Sequence, residues 1–168
     1  MPAPRLPVCP GRQRPTWVQR PPLNRRQKTM PDIDNKGRVF AFYQALATQS
    51  ESAPLAMADY FTAEAEWHLP RSSPMHGTLK GLDAIAGLFA GAVDEYYQPG
   101  SLQYDYRTVI ADADHVMMQF TLKAVTANGK DYENDYCLLY RLENGLIAEV
   151  REFFDTATLF AIQPPPDA

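Results

Sequence analysis

The sequence predicts an α+β domain: a cone-shaped, curled antiparallel sheet covered on its concave side by three helices. Three observations point to it. Helical spacing of apolar residues dominates the stretch from 32 to 97, and four long alternating segments fill 101 to 155. The links between those segments, ADAD, NGK and ENG, carry the turn chemistry of antiparallel hairpins. Helices first and a sheet after them bury one face of the sheet, and the open end of such a cone is a natural ligand pocket.

Each element has a local cause. Asp34 can cap a first helix in which Val39, Phe42, Tyr43 and Leu46 recur at three- and four-residue intervals. Ser52, with Pro54 in the first turn, opens a short second helix through Tyr60. A strand from Glu64 to Leu69 is stopped by Pro70 and the loop RSSPMHG. A third helix fits residues 82 to 97, with Ile85, Leu88, Phe89, Ala92 and Tyr96 on one face, and Pro99 and Gly100 end it. The alternating segments 101 to 110, 115 to 126, 131 to 142 and 146 to 155 supply the hairpins.

Charge locates the one boundary. Residues 1 to 30 hold seven of the 16 Lys and Arg residues, seven of the 15 prolines and no acid, which leaves nine bases against 20 acids, a net −11, for residues 31 to 168. So Pro- and Arg-rich an arm has too little apolar surface to offset the entropy of ordering, so it reads as a disordered extension, with Met30 the natural first residue of the folded part. The acidic body opposes nucleic-acid binding by the arm, and no nucleic-acid partner is expected. No stretch approaches the ~18 consecutive apolar residues of a membrane span. Cys9 and Cys137 make neither a disulfide framework nor a metal spacing, so a soluble protein of the reducing cytoplasm is expected, without a disulfide.

The chemistry gathers on the last hairpin, DYENDYCLLYRLENGLIAEVREFFD. Strand alternation puts Val150, Glu152 and Phe154 on one face, and Asn134, Tyr136, Leu138 and Tyr140 on the same face of the preceding strand. A carboxylate among Val and Phe is costly unless it is hydrogen-bonded or takes up a proton, which makes Glu152 the candidate acid/base. Trp67, Leu69, Tyr136, Leu138 and Phe154 are the expected walls, and Asn134 a group to orient a carbonyl or a water. His68 points away from the Trp67 and Leu69 face, His76 sits in a loop and His115 at a turn. No HxxxH, HxH or carboxylate cluster has metal-ligand spacing, and no Gly-rich phosphate loop is present, so neither a metal nor a cofactor is expected.

The order of elements, the segment AEWHLPRSSPMHGTLKGLDAI and the ending YRLENGLIAEVREFFDTATLF resemble the nuclear transport factor 2-like superfamily, in its SnoaL-like branch of polyketide cyclases and related small enzymes. The resemblance spans roughly residues 33 to 162 and implies a homodimer packed through the outer face of the sheet. In ketosteroid isomerases a helix-borne tyrosine matches Tyr43, but the general-base aspartate falls on Leu69 and the second acid on Leu138, which argues against that mechanism. In limonene epoxide hydrolases an aspartate matches Glu152, while the accompanying Arg and Asp fall on Gln119 and Thr121; these relatives imply that Tyr43, Gln119 and Thr121, with Asn134, orient a carbonyl or a water. SnoaL-type cyclases and the phenazine-biosynthesis A/B proteins carry their acid at the position of Glu152, and the latter resemble ENDY, RLENG and REF here.

Two classes of function follow. One is a cofactor-independent acid/base enzyme, of cyclase, isomerase or dehydratase type, acting through Glu152 on a small, largely apolar, carbonyl-bearing metabolite. The other is a ligand-binding or assembly module with the same cone and no turnover. Hydrolysis of the epoxide hydrolase type is a further alternative.

Overall fold

The computed structural model describes residues 34–48, 55–73, 76–89 and 96–162 of the 168-residue chain. The expected arm at residues 1 to 30 lies outside the described residues, as do the start of the expected second helix and the middle of the third.

Helix α1 (Asn35–Thr48) begins where Asp34 caps it, its Oδ1 accepting from the Gly37 amide at 2.9 Å and its carbonyl from the Arg38 amide at 2.9 Å. The helix turns Val39, Phe42 and Tyr43 into the core. Arg38 ties the helix down, donating through Nε to the Gly145 carbonyl at 2.8 Å and through a terminal nitrogen to the Asp59 carbonyl at 3.0 Å. The expected second helix is described only as a 3₁₀ turn, Met57–Asp59.

Six strands follow: β1 (Phe61–Leu69), β2 (Gly77–Lys80), β3 (Gln103–Asp112), β4 (His115–Val125), β5 (Asp131–Glu143) and β6 (Leu146–Phe154). Helix α2 (Leu82–Gly87) lies between β2 and β3, and α3 (Thr156–Ile162) follows β6. The sheet runs β2-β1-β6-β5-β4-β3. Its β3-β4, β4-β5 and β5-β6 hairpins are antiparallel as expected. The β5-β6 link is the two-residue turn Asn144-Gly145, both at positive φ (52° and 79°), the backbone that Asn-Gly adopts most readily.

The sheet is mixed, however, and not wholly antiparallel. Strand β1 lies parallel to β6, with Trp67 beside Val150 and His68 beside Arg151. The four-residue edge strand β2, unassigned in the sequence, pairs Leu79 with Trp67. Helix α3 is also additional: the last strand ends at Phe154, and Asp155 caps a helix by accepting the Ala157 amide at 2.9 Å on Oδ1.

Alternation sorts the strands into two faces. Val116, Met118 and Phe120 of β4, Leu138 and Tyr140 of β5 and Val150 of β6 are buried against α1 on the inner face. The outer face is charged toward β1 and β2, and carries exposed apolar side chains on β3, β5 and β6. Ile110 and Phe153 are 55% and 56% exposed there, and Leu139 is 37% exposed. No described helix is long and apolar enough to cross a membrane.

Candidate functional site

The inner face does not fill completely. Between the sheet, α1, the residues Leu88 and Phe89 that follow α2, and α3 lies a cavity of about 120 Å³, and Glu152 reaches into it. The carboxyl is placed by β6, whose alternation brings Val150, Glu152 and Phe154 inward, and its register neighbour on β5 is Leu138. What touches the carboxyl comes from the other side. The indole Nε1–H of Trp67, on the parallel neighbour β1, donates to Glu152 Oε2 at 2.7 Å.

Two opposed effects set the acidity of this group. Withdrawal from bulk water, the larger, disfavours the anion, and the indole N–H favours it; the net result pushes the carboxyl up to about 7. A group poised there exchanges a proton readily at neutral pH. The tyrosines of the cavity shift the same way. Burial holds Tyr43 and Tyr136 well above the ordinary phenol value and pushes Tyr104 up to about 12, so all three remain proton donors at neutral pH.

The structure brings together Tyr43, Trp67, Leu69, Tyr136, Leu138, Glu152 and Phe154, all expected in the pocket from the sequence. Tyr43 has a hydroxyl partner, Tyr140, at 2.7 Å. Three expectations are corrected. Gln119 and Thr121 lie on the outer face, because β4 turns Met118, Phe120 and Leu122 inward. Gln119 is exposed, and Thr121 is buried beneath Arg107 and Asp135, accepting from Arg107 Nε at 3.0 Å and donating to Asp135 Oδ1 at 2.6 Å. Asn134 faces inward but does not line the cavity. Its amide nitrogen donates to the Tyr132 hydroxyl at 2.8 Å and to the Asp155 carbonyl at 2.9 Å, joining β5 to the cap of α3.

Other lining residues went unnoticed in the sequence. Leu102 and Tyr104 come from the start of β3, Phe120 and Leu122 from β4, Tyr97 from the segment before β3, and Leu159 from α3. The alternation of VMMQFTLKAV, apolar at every even position, already signalled Phe120 and Leu122.

The histidines lie apart from the cavity. His68 is on the outer face, with Nδ1 2.9 Å from Thr78 Oγ1 and Nε2 between Glu66 and Glu149 at 3.4 and 3.2 Å. His115 pairs with Asp114 at 2.7 Å at the β3-β4 turn. Among the described residues, no group of three or more His, Cys, Asp and Glu side chains converges as metal ligands would.

An open-ended cavity under a curled sheet, with one carboxyl held by an indole, defines a small-ligand pocket on a cone-shaped α+β scaffold. A family model for the SnoaL-like domain matches residues 39–150, and the chain belongs to that family. Glu152 falls two residues beyond the matched stretch.

Solved structures share the fold. A nuclear transport factor 2-like protein from Burkholderia pseudomallei is 18% identical, with a TM-score of 0.66 over 77% of this chain and 97% of that one. A protein described as a SnoaL-like polyketide cyclase, from Jannaschia sp., is 21% identical, with a TM-score of 0.62 over 83% and 99%. TerC, co-crystallized with polyporic acid, is 19% identical, with a TM-score of 0.63 over 76% and 96%. No curated protein matches the chain in sequence.

Proposed function

We propose that this protein is a cofactor-independent acid/base enzyme in which Glu152 moves a proton on a small, largely apolar, carbonyl-bearing metabolite. The observation that supports it most is a carboxyl, the one among the described lining residues, poised to titrate near neutrality inside a cavity walled by aromatic and aliphatic side chains. The structural neighbour described as a polyketide cyclase, and TerC, co-crystallized with polyporic acid, are in keeping with that use of the fold.

The step is enolisation. The Glu152 carboxylate takes a proton from the carbon beside the carbonyl. The C–H electron pair becomes the new C=C bond, and the C=O π pair moves onto oxygen. Returning the proton to a different atom isomerises the substrate; attack of the enolate carbon on a second carbonyl closes a ring, and expulsion of a β-hydroxyl dehydrates it. The developing oxyanion needs donors. Tyr43 is suited to this, because in the Tyr43–Tyr140 pair one phenolic hydrogen is left over, and a donation from Tyr140 strengthens the one Tyr43 makes. Tyr104 is the second candidate; among the described residues no hydrogen bond engages its hydroxyl. Asn134 serves as support, holding the end of β6 where Glu152 projects. Hydrolysis of the epoxide hydrolase type loses its footing, since Gln119 and Thr121 face away from the cavity.

A binding module without turnover is the second reading. Its supporting observation is Leu138, an apolar residue opposite Glu152 where an acid of the isomerase type would stand. One experiment separates the two. Uncharged cyclic ketones are incubated in D₂O at pH 8 and deuterium entering the carbon beside the carbonyl is followed by NMR. The enzyme reading predicts protein-dependent exchange that falls ~10²- to 10⁴-fold in Glu152→Gln. Exchange within a few-fold of wild type in that variant would overturn it.

A further inference from the structure

The cavity's size and lining extend that reading to the class of molecule it takes. We propose that the pocket selects uncharged, single-ring carbonyl compounds, with 2-cyclohexen-1-one as the simplest probe, over anions of similar size and over fused two-ring ketones. The inference rests on the acid/base reading for its chemistry, but on independent observations for its selectivity.

Size comes first. The cavity is about 120 Å³, of the order of the apolar cavity of about 150 Å³ known to hold a benzene molecule, so it seats one six-membered ring and leaves a second, fused ring at its open end. The walls suit a flat ring. Phe120 and Tyr136 stack at 5.4 Å with 5° between their planes, Phe154 follows Tyr136 at 4.9 Å, and Trp67 and Phe89 meet edge-on at 5.3 Å. Aromatic surfaces of this kind offer both faces and edges to a ring between them.

Charge decides the rest. Among the described residues lining the cavity, Glu152 is the one carboxyl, and there is no Lys, Arg or His. A carboxylate or phosphate ligand would lose its hydration without gaining a cation, and would face Glu152 besides. The remaining polar groups of the lining include the phenols of Tyr43 and Tyr104, which burial keeps protonated. Phenolic donors match an acceptor oxygen. A carbonyl oxygen on an otherwise apolar ring satisfies the donors and leaves the carboxyl to meet the adjacent C–H.

The test uses the full chain carrying Trp17→Phe, which leaves Trp67 as its one tryptophan and places the fluorophore against Glu152. Trp67 emission, corrected for probe absorption, is titrated at pH 8 with 2-cyclohexen-1-one, benzoate and 1-tetralone. The expected result is saturable quenching by cyclohexenone, with the other two at least tenfold weaker. Equal or tighter binding of benzoate or 1-tetralone, or no saturation by cyclohexenone, overturns the proposal. Deuterium exchange is then followed for each probe. Selective binding of cyclohexenone without exchange would remove the acid/base reading and leave the selectivity standing. Exchange on 1-tetralone, abolished by Glu152→Gln, together with tetralone binding as tight as that of cyclohexenone, would do the reverse.

Discussion

Trp67 donates its indole N–H to Glu152 across the parallel junction of β1 and β6, at 2.7 Å. Most of the site's character follows from this contact. It orients a carboxyl that would otherwise turn among rotamers, and it offsets part of the desolvation that raises the carboxyl's proton affinity. Both members are fixed by the sheet, so the geometry belongs to the scaffold and not to a loop.

Replacing Trp67 by Phe keeps an aromatic wall and removes the donor. A hydrogen bond to a charged group contributes about 1.5–3 kcal/mol, so losing it raises the Glu152 pKa by about 1–2 units. The acid limb of the activity profile should move up by that amount, with a packing loss of stability at every pH, because Trp67 is buried, and a further loss where Glu152 is ionised. An unchanged limb would mean that the indole packs against the carboxyl without tuning it.

Stability should depend on pH through the same group. Its folded-state pKa of about 7 lies above the ordinary glutamate value, so between the two the folded protein holds a proton that the unfolded chain has released. Folding stability therefore falls as pH rises through that window, and the penalty is complete above about pH 7. It amounts to roughly 3–4 kcal/mol. Glu152→Gln should be more stable than wild type at pH 8 and equal to it near pH 4. Thermal melts of both proteins across that range check the sign, and a variant less stable at pH 8 would contradict it.

Thr121→Val tests the outward placement of β4's odd positions. It removes the hydrogen bonds to Arg107 and Asp135 and should cost about 1–2 kcal/mol in denaturant unfolding. Binding of cyclohexenone should remain within twofold of wild type. A large loss of binding with normal stability would return Thr121 to the pocket.

The outer face should carry a homodimer. Leu139 and Phe153 lie there on adjacent strands beside Arg141 and Arg151, an exposed apolar and charged mixture suited to an isologous contact. Leu139→Glu should sediment as a monomer with normal far-UV circular dichroism. A Leu139→Glu protein that remains dimeric would move the interface elsewhere.

What could be read in the sequence follows the range of its signals. Period-two alternation is local, so the inward face of Glu152 and Phe154 was legible, as was the Asn144-Gly145 turn that joins β5 to β6. The β1-β6 contact was not, because a parallel pair more than 80 residues apart has no turn to announce it. Trp67 was therefore expected as a plain wall and turned out to be the partner of the carboxyl. Gln119 and Thr121 were carried into the pocket by resemblance to an epoxide hydrolase, although the alternation of VMMQFTLKAV had already turned them out. Asp155 read as the end of a strand, yet an Asp ahead of TATLFAI is also a helix cap.

The central claim is that Glu152 is a proton-exchanging carboxyl at neutral pH, and its titration is the most direct test. With the glutamate side-chain carboxyls labelled with ¹³C and the Glu152 signal identified by its absence in Glu152→Gln, the chemical shift is followed from pH 3 to pH 9. The account predicts a midpoint near 7. A midpoint at the ordinary glutamate value of about 4.3 would show a solvated anion and contradict it.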